Sequence, residues 1–220
     1  MLLGEDNIKK IRRSKVVICG LGGVGGFALE ALARLGVGNF FLIDYDRFDL
    51  SNLNRQILAE FNNIGLLKVD AALNRLKSIS DSNVLVSQKR VQEALVEIES
   101  FKPDVIVDAI DDLEAKILLI KHFYKKTNII VSAGAGNRVN PTMVTYADLS
   151  KTSNCSIAKI LRKRLKDLGI FSGIEVVFSK EPPKKEFNNS NIIASAVFVP
   201  MSFGCLISYL SYKFICNSMA

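Results

Sequence analysis

The chain has 220 residues, 49% of them hydrophobic, and a formal charge of +7 at pH 7. That length and apolar share suffice for a proper core, and with no low-complexity linker or internal repeat they predict one domain over residues 1–220. The positive excess suits a polyanion, either nucleic acid or an anionic membrane surface, while the four scattered cysteines form no C-x-x-C pair and so argue against structural zinc.

Met1–Ser14 is polar and charged, without the apolar run of a signal peptide, which points to a reducing cytoplasm. Lys15–Asp46 then organises the sequence. Val16–Cys19 is a short apolar run of the kind that makes a buried parallel strand. Gly20, Gly22 and Gly25 fit G-x-G-x-x-G, with Gly23 and Gly26 in addition. Phe27–Leu35 has helical apolar spacing, and Phe40–Ile43 is a second strand ending at Asp44. A strand, a glycine turn, a helix and a strand form a nucleotide-binding unit. Backbone N–H groups approach a phosphate at the helix N-terminus, and the carboxylate about twenty residues on accepts from a ribose. NAD, FAD and ATP all fit the turn.

After Asp44, Ser51 or Asn52 is placed to cap a short helix, and Asn52, Asn54, Arg55 and Gln56 should overhang the nucleotide crevice. The spacing predicts an amphipathic helix over Asn63–Ile79, with Lys68 near its start, a strand at Val84–Ser87 and a helix at Val91–Glu99. A fourth strand, Val105–Val107, runs into Asp108–Asp112 and puts Asp111 at the rim where ligands bind in parallel sheets. Ala115–Tyr124 reads as a helix, Ile129–Ser132 as a strand and Gly134–Gly136 as a flexible turn. His122, the only histidine, lies in that helix away from the rim and reads as structural. The alternation predicts an α/β, Rossmann-like doubly wound, mainly parallel sheet with a C-terminal strand and helix extension.

Beyond Pro141 the pattern changes. Met143–Tyr146 and Val176–Phe178 read as strands. Ile157–Leu168 reads as an amphipathic helix carrying Lys159, Arg162, Lys163, Arg164 and Lys166. Residues 179–191 are polar and read as a mobile loop, followed by an apolar C-terminal helix over 192–216. Ile192–Tyr212 carries no charge and is long enough to span a bilayer, but it holds Pro200 and four serines. The favoured expectation is a buried or dimer-interface helix broken near Pro200. Attachment to the inner membrane is the minority alternative.

The glycine turn, Asp44, Asn52, Arg55, Gln56, Lys68 and Asp111 share one crevice in this reading. Hydride transfer has no use for Arg and Lys beside the phosphates with a carboxylate opposite. Nucleotidyl transfer has: the cations hold a triphosphate and neutralise the leaving pyrophosphate, and a carboxylate holds Mg²⁺. The motifs GLGGVG (Gly20–Gly25), D-x-D (Asp44–Asp46), N-x-N-R-Q (Asn52–Gln56), G-x-x-K ending at Lys68 and DAID (Asp108–Asp111) resemble the ubiquitin-activating-enzyme-like (ThiF/MoeB/HesA) adenylating superfamily. SAGAGNRVNPT (Ser132–Thr142), DLSKT (Asp148–Thr152), LRKRLK (Leu161–Lys166) and VVFSKE (Val176–Glu181) narrow the likeness to the tRNA threonylcarbamoyladenosine dehydratases.

That resemblance implies ATP-dependent cyclisation of the threonylcarbamoyl group on adenosine 37 of tRNA. It implies Gly20, Gly22, Gly23, Gly25, Asp44, Asp46, Asn52, Arg55, Gln56 and Lys68 as nucleotide contacts. Arg55, Lys68 and Asp111 become the catalytic set, Asp111 the Mg²⁺ ligand, and Lys159, Arg162, Lys163, Arg164 and Lys166 the residues facing tRNA. It further implies a homodimer and raises a sulfur-acceptor or other helper protein as a partner. Two departures stand out. The family carries arginines just upstream of its L-x-G-E segment, whereas this sequence starts there, and Asn188–Asn191 replaces a loop in which some relatives carry a cysteine. Two other readings compete. Activation of a sulfur carrier's C-terminal glycine usually brings C-x-x-C pairs, and an NAD-binding oxidoreductase leaves Arg55, Lys68 and Asp111 idle.

Overall fold

The computed structural model describes residues 2–184 and 194–217. The strands and α-helices of the first half alternate as α1 (Glu5–Arg13), β1 (Lys15–Cys19), α2 (Gly23–Leu35), β2 (Asn39–Ile43), α3 (Lys68–Ile79), β3 (Asn83–Ser87) and α4 (Val91–Phe101). They are followed by β4 (Val105–Asp108), α5 (Leu113–Phe123), β5 (Asn128–Ser132), β6 (Val144–Asp148), α6 (Ser156–Asp167), β7 (Glu175–Ser179) and α7 (Phe198–Asn217). The strands form one seven-stranded sheet in the order β3-β2-β1-β4-β5-β7-β6. Every pairing is parallel except β6 with β7. The doubly wound sheet with its C-terminal extension is therefore as the sequence predicts.

The central strands are apolar throughout because both faces are covered, as in parallel sheets generally. Val16 and Ile18 of β1 enter one core with Leu29 and Leu32 of α2, Val69 of α3 and Phe203 and Ile207 of α7. Val17 and Cys19 enter the other with Ala94 and Ile98 of α4, Leu119 and Ile120 of α5 and Leu161 of α6. The period-two alternation of side chains places successive residues in opposite layers.

The element boundaries depart from the sequence reading in several places. α1 was not expected: its nine residues are mostly charged and only Ile11 is buried. α3 begins at Lys68 and not at Asn63, because Gly65 (φ 87°) turns the chain and its N–H bonds to Phe48 O. Neither Ser51 nor Asn52 caps the short helix at Leu50–Asn52. Asp49 does, accepting from Ser51 N, while Asn52 Oδ1 accepts from Asp49 N in return. α7 begins at Phe198, so Pro200 lies in its first turn, where no N–H is needed, and the helix is not broken there. Its Val199, Phe203 and Ile207 are fully buried, largely against α2. Of the loop expected at 179–191, Ser179 closes β7 and residues 185–191 lie outside the described residues, as do 192 and 193 of the expected helix.

Candidate functional site

A cavity of about 620 Å³ opens at the carboxyl ends of β1, β2, β4 and β5. Its lining includes Gly20, Gly22, Gly23, Asp44, Asp46, Asn52, Arg55, Gln56, Lys68 and Asp111, all foreseen from the sequence. Gly25 is the exception. It does not line the cavity; a Cβ there would overlap the Gly20 carbonyl, so it allows α2 to sit close against the turn. Gly20 itself adopts φ 90°, and a Cβ on it would stand 2.6 Å from Ala109 O. Side chains are thus excluded at both ends of the turn, and backbone faces the cleft.

Asp44 is buried, and its carboxylate accepts from Leu21 N (2.6 Å) and Asp46 N (2.8 Å). It braces the glycine turn against the end of β2. Burial pushes its carboxyl up, and the nearby Lys68 ammonium pulls the other way. Lys68, the first residue of α3, is buried with Nζ 3.0 Å from Asp46 Oδ2. Its position is fixed by the turn at Gly65 and by Lys68 N donating to Asp46 O. Arg55 donates to Ser51 O (2.6 Å) and Asn54 Oδ1 (3.0 Å), which leaves guanidinium edge toward the cavity it lines. Gln56 is buried beside it, and its Oε1 has no partner among the described residues. On the opposite wall Asp111 is exposed, while Asp112 takes the capping role at α5 by accepting from Ala115 N. Asp111 thereby remains available to the cleft.

Sequence reasoning missed the floor of the cavity. Lys116 Nζ lies 2.9 Å from Asp108 Oδ1, with both side chains essentially inaccessible, and Asp108 Oδ2 has no partner among the described residues. Cys19 is next to this pair. Burial first, and the Asp108 carboxylate second, push its thiol well up, so it is no nucleophile. At the outer lip Arg90 stacks 4.1 Å over the Tyr45 ring. Neither pair is visible as a spacing pattern, because each joins two different elements.

The basic helix is divided. Lys159, Lys163 and Lys166 are exposed. Arg162 is not turned outward: its Nη1 donates to Leu149 O, Thr152 O and Thr152 Oγ1, tying α6 to the preceding turn. Arg164 forms a two-pronged pair with Glu114 of α5. Two of the five expected polyanion contacts are therefore committed within the fold. His122 keeps its structural reading, half-buried beside Glu99 at 3.6 Å.

A backbone-lined turn, two cations and an uncommitted carboxylate around one nucleotide-sized crevice define an α/β nucleotide-binding domain of the adenylating type. The chain belongs to the ThiF family, whose model matches residues 1–219. It is 37% identical over 186 residues to the tRNA threonylcarbamoyladenosine dehydratase of Bacillus subtilis, covering 83% of this chain and 73% of that protein. It is 35% identical to tRNA threonylcarbamoyladenosine dehydratase 2 of Saccharomyces cerevisiae over 82% of this chain, but spans only 42% of the yeast protein. The Escherichia coli dehydratase TcdA in complex with ATP superposes with a TM-score of 0.92 at 31% identity, covering 99% of this chain and 91% of that one.

Proposed function

We propose that this protein is an ATP-dependent tRNA-modifying enzyme that cyclises N6-threonylcarbamoyladenosine. The threonyl carboxylate attacks the α-phosphorus of ATP; the bond to the β-phosphate breaks, and pyrophosphate leaves. The carbamoyl group then closes onto the activated carbonyl, expelling AMP and losing a proton, so that the nucleoside loses one water. The observation that carries this reading is the meeting of Arg55, Lys68 and Asp111 in the cavity behind the glycine turn.

In this reading Arg55 and Lys68 hold the phosphates, and their fixed charges neutralise the leaving pyrophosphate without reorganisation. Asn52 and Gln56 support that wall, with Gln56 Oε1 free to accept from the nucleotide. Mg²⁺ is commonly held by one or two carboxylates with substrate phosphates and water. Asp111 fits as that carboxylate, and the ion would supply charge neutralisation at the phosphate oxygens. The exposed Lys159, Lys163 and Lys166 supply tRNA phosphate contacts. The likeness to the named dehydratases and the absence of C-x-x-C pairs favour this reading over sulfur-carrier activation.

The protein acts as a cytoplasmic homodimer in this proposal. Phe198, Met201 and Tyr209 form an exposed apolar stripe on α7, whose other face is already buried in the fold. Incubation of the protein with ATP, Mg²⁺ and tRNA carrying threonylcarbamoyladenosine, followed by nucleoside mass spectrometry, tests the function. The expected product is the dehydrated nucleoside with stoichiometric AMP; an unchanged nucleoside with ATP-binding protein overturns the reading.

A further inference from the structure

The wall of the cavity facing away from the phosphate-binding residues is built by Ala133–Gly136, at the end of β5. Behind it lies Arg138, only 4% exposed. Its Nη1 donates to Gly134 O (2.7 Å) and Gly136 O (3.0 Å), and its Nε to Glu181 O (2.9 Å). Among the described residues no carboxylate lies within ion-pair distance of it. The guanidinium is bonded only to neutral carbonyls, and the carboxylate of Glu181 accepts instead from Val139 N and Asn140 N, so no direct ion pair offsets the buried charge.

The grip on Gly134 O also fixes the next amide. Across a trans peptide the N–H of Ala135 points opposite to the carbonyl of Gly134, hence away from Arg138. Ala135 lines the cavity and Arg138 does not, so that N–H is turned to the cavity side. It has no acceptor among the described residues. A donor without an acceptor, backed by a buried positive charge, is the environment of an anion site.

We propose that this wall, with Ala135 N–H as donor and Arg138 as the positioning residue behind it, receives the carboxylate of the acid that is to be adenylated. The inference rests on the cyclisation reading and adds the acid's subsite to it. The chemistry requires such a place. A carboxylate must come within bonding distance of a phosphorus surrounded by negative oxygens, while Arg55 and Lys68 are engaged on the nucleotide side. A separate positive wall offsets that like-charge repulsion and aims the oxygen. Arg138 turns the donor and supplies the field, and it touches no reacting atom itself.

Binding of an anticodon stem-loop RNA carrying threonylcarbamoyladenosine, compared with its threonyl methyl ester, tests the subsite in the presence of a non-hydrolysable ATP analogue. The wild type is expected to prefer the carboxylate by about 10- to 100-fold, the range of one or two charge-assisted hydrogen bonds. In Arg138→Gln that preference should collapse to within about threefold while affinity for the ATP analogue is unchanged, a split that a merely loosened fold would not produce. Arg138→Lys, which keeps the charge but not the fork, should fall between the two and decides the matter if the glutamine variant does not fold. A glutamine variant with the full wild-type preference, or a wild type indifferent to the ester, overturns the subsite. Failure of the cyclisation reading looks different: the carboxylate preference and its Arg138 dependence persist, but no dehydrated nucleoside forms with ATP.

Discussion

Lys68 and Asp111 face the same cavity but sit in opposite electrostatic circumstances. Lys68 is buried against Asp46, with Asp44 close by, so its ammonium is held in place before any nucleotide arrives. Asp111 is exposed, and the capping of α5 falls to Asp112, so the Mg²⁺ role proposed for Asp111 is open to it. Replacing Lys68 by Met should therefore lower the rate of ATP–pyrophosphate exchange by about 10²–10³-fold, the usual loss for one preorganised electrostatic contact. Asp111→Asn should cause a similar loss in rate with nucleotide affinity little changed when Mg²⁺ is omitted. Exchange assays and calorimetric titration with and without the metal separate the two. The sequence reading expected both residues at this crevice, and both line the cavity, Lys68 at the first residue of α3 and Asp111 in the turn between β4 and α5.

At the scale of elements, α2 is held by its two neighbours in different ways. Against α3 it uses charge: Glu30, mostly buried, accepts from Arg75 Nε and Nη2 at 2.9 Å each and from Arg34 Nε at 2.8 Å. The hydrogen bonds from Arg75 foremost hold the Glu30 carboxyl below its usual range. A depressed carboxylate contributes stability that is complete above its unfolded pKa, about 4.3, and is lost as pH falls through the lower folded value. Glu30→Gln should thus cost about 1–3 kcal/mol at pH 7, with the gap to wild type closing as the pH is taken below that window, as read by urea melts across pH. Against α7, α2 uses close contact. A Cβ on Gly204 would stand 2.6 Å from Phe27 Cβ and 2.8 Å from Ala28 N, so the helices cannot approach as they do with any larger residue. Gly204→Ala is expected to destabilise by about 1–3 kcal/mol or more despite alanine's better helix propensity, lowering the urea midpoint. This packing buries one face of α7, a helix apolar and long enough by itself to cross a membrane.

For the whole molecule, the charge of +7 has to be divided between cations that hold the fold and cations that face outward. Arg75, Arg138, Arg162 and Lys116 are bonded within the fold, and Arg164 pairs with Glu114 at the surface. Lys159, Lys163 and Lys166 on α6 are not buried by any partner element. Changing these three lysines together to Gln should weaken tRNA binding and flatten the dependence of log affinity on log salt by about two to three units, each lost phosphate contact removing roughly 0.7–0.9. Arg162→Gln should leave that slope nearly unaltered and instead lower thermal stability. Binding isotherms at several salt concentrations distinguish these outcomes.

The amino-acid sequence by itself determined the strand–turn–helix–strand unit, the alternating sheet and the gathering of Asp44, Arg55, Lys68 and Asp111 at one crevice. These follow from periodicity, glycine placement and strand ends, all of which are local. It misplaced the start of α3 and the break expected at Pro200, because a single left-handed glycine and a first-turn proline are told from helix interiors only by what the neighbouring chain bonds to. The buried Asp108–Lys116 pair, the grip of Arg138 on Gly134 and Gly136, and the withdrawal of Arg162 and Arg164 from the basic face were decided only in three dimensions. Each depends on a charged side chain meeting a partner that no sequence spacing marks, from Arg138 with carbonyls two and four residues back to Arg164 with Glu114 of α5. Where the charge is buried, as in Asp108–Lys116, a partner is obligatory, but which group supplies it is set by how the elements pack.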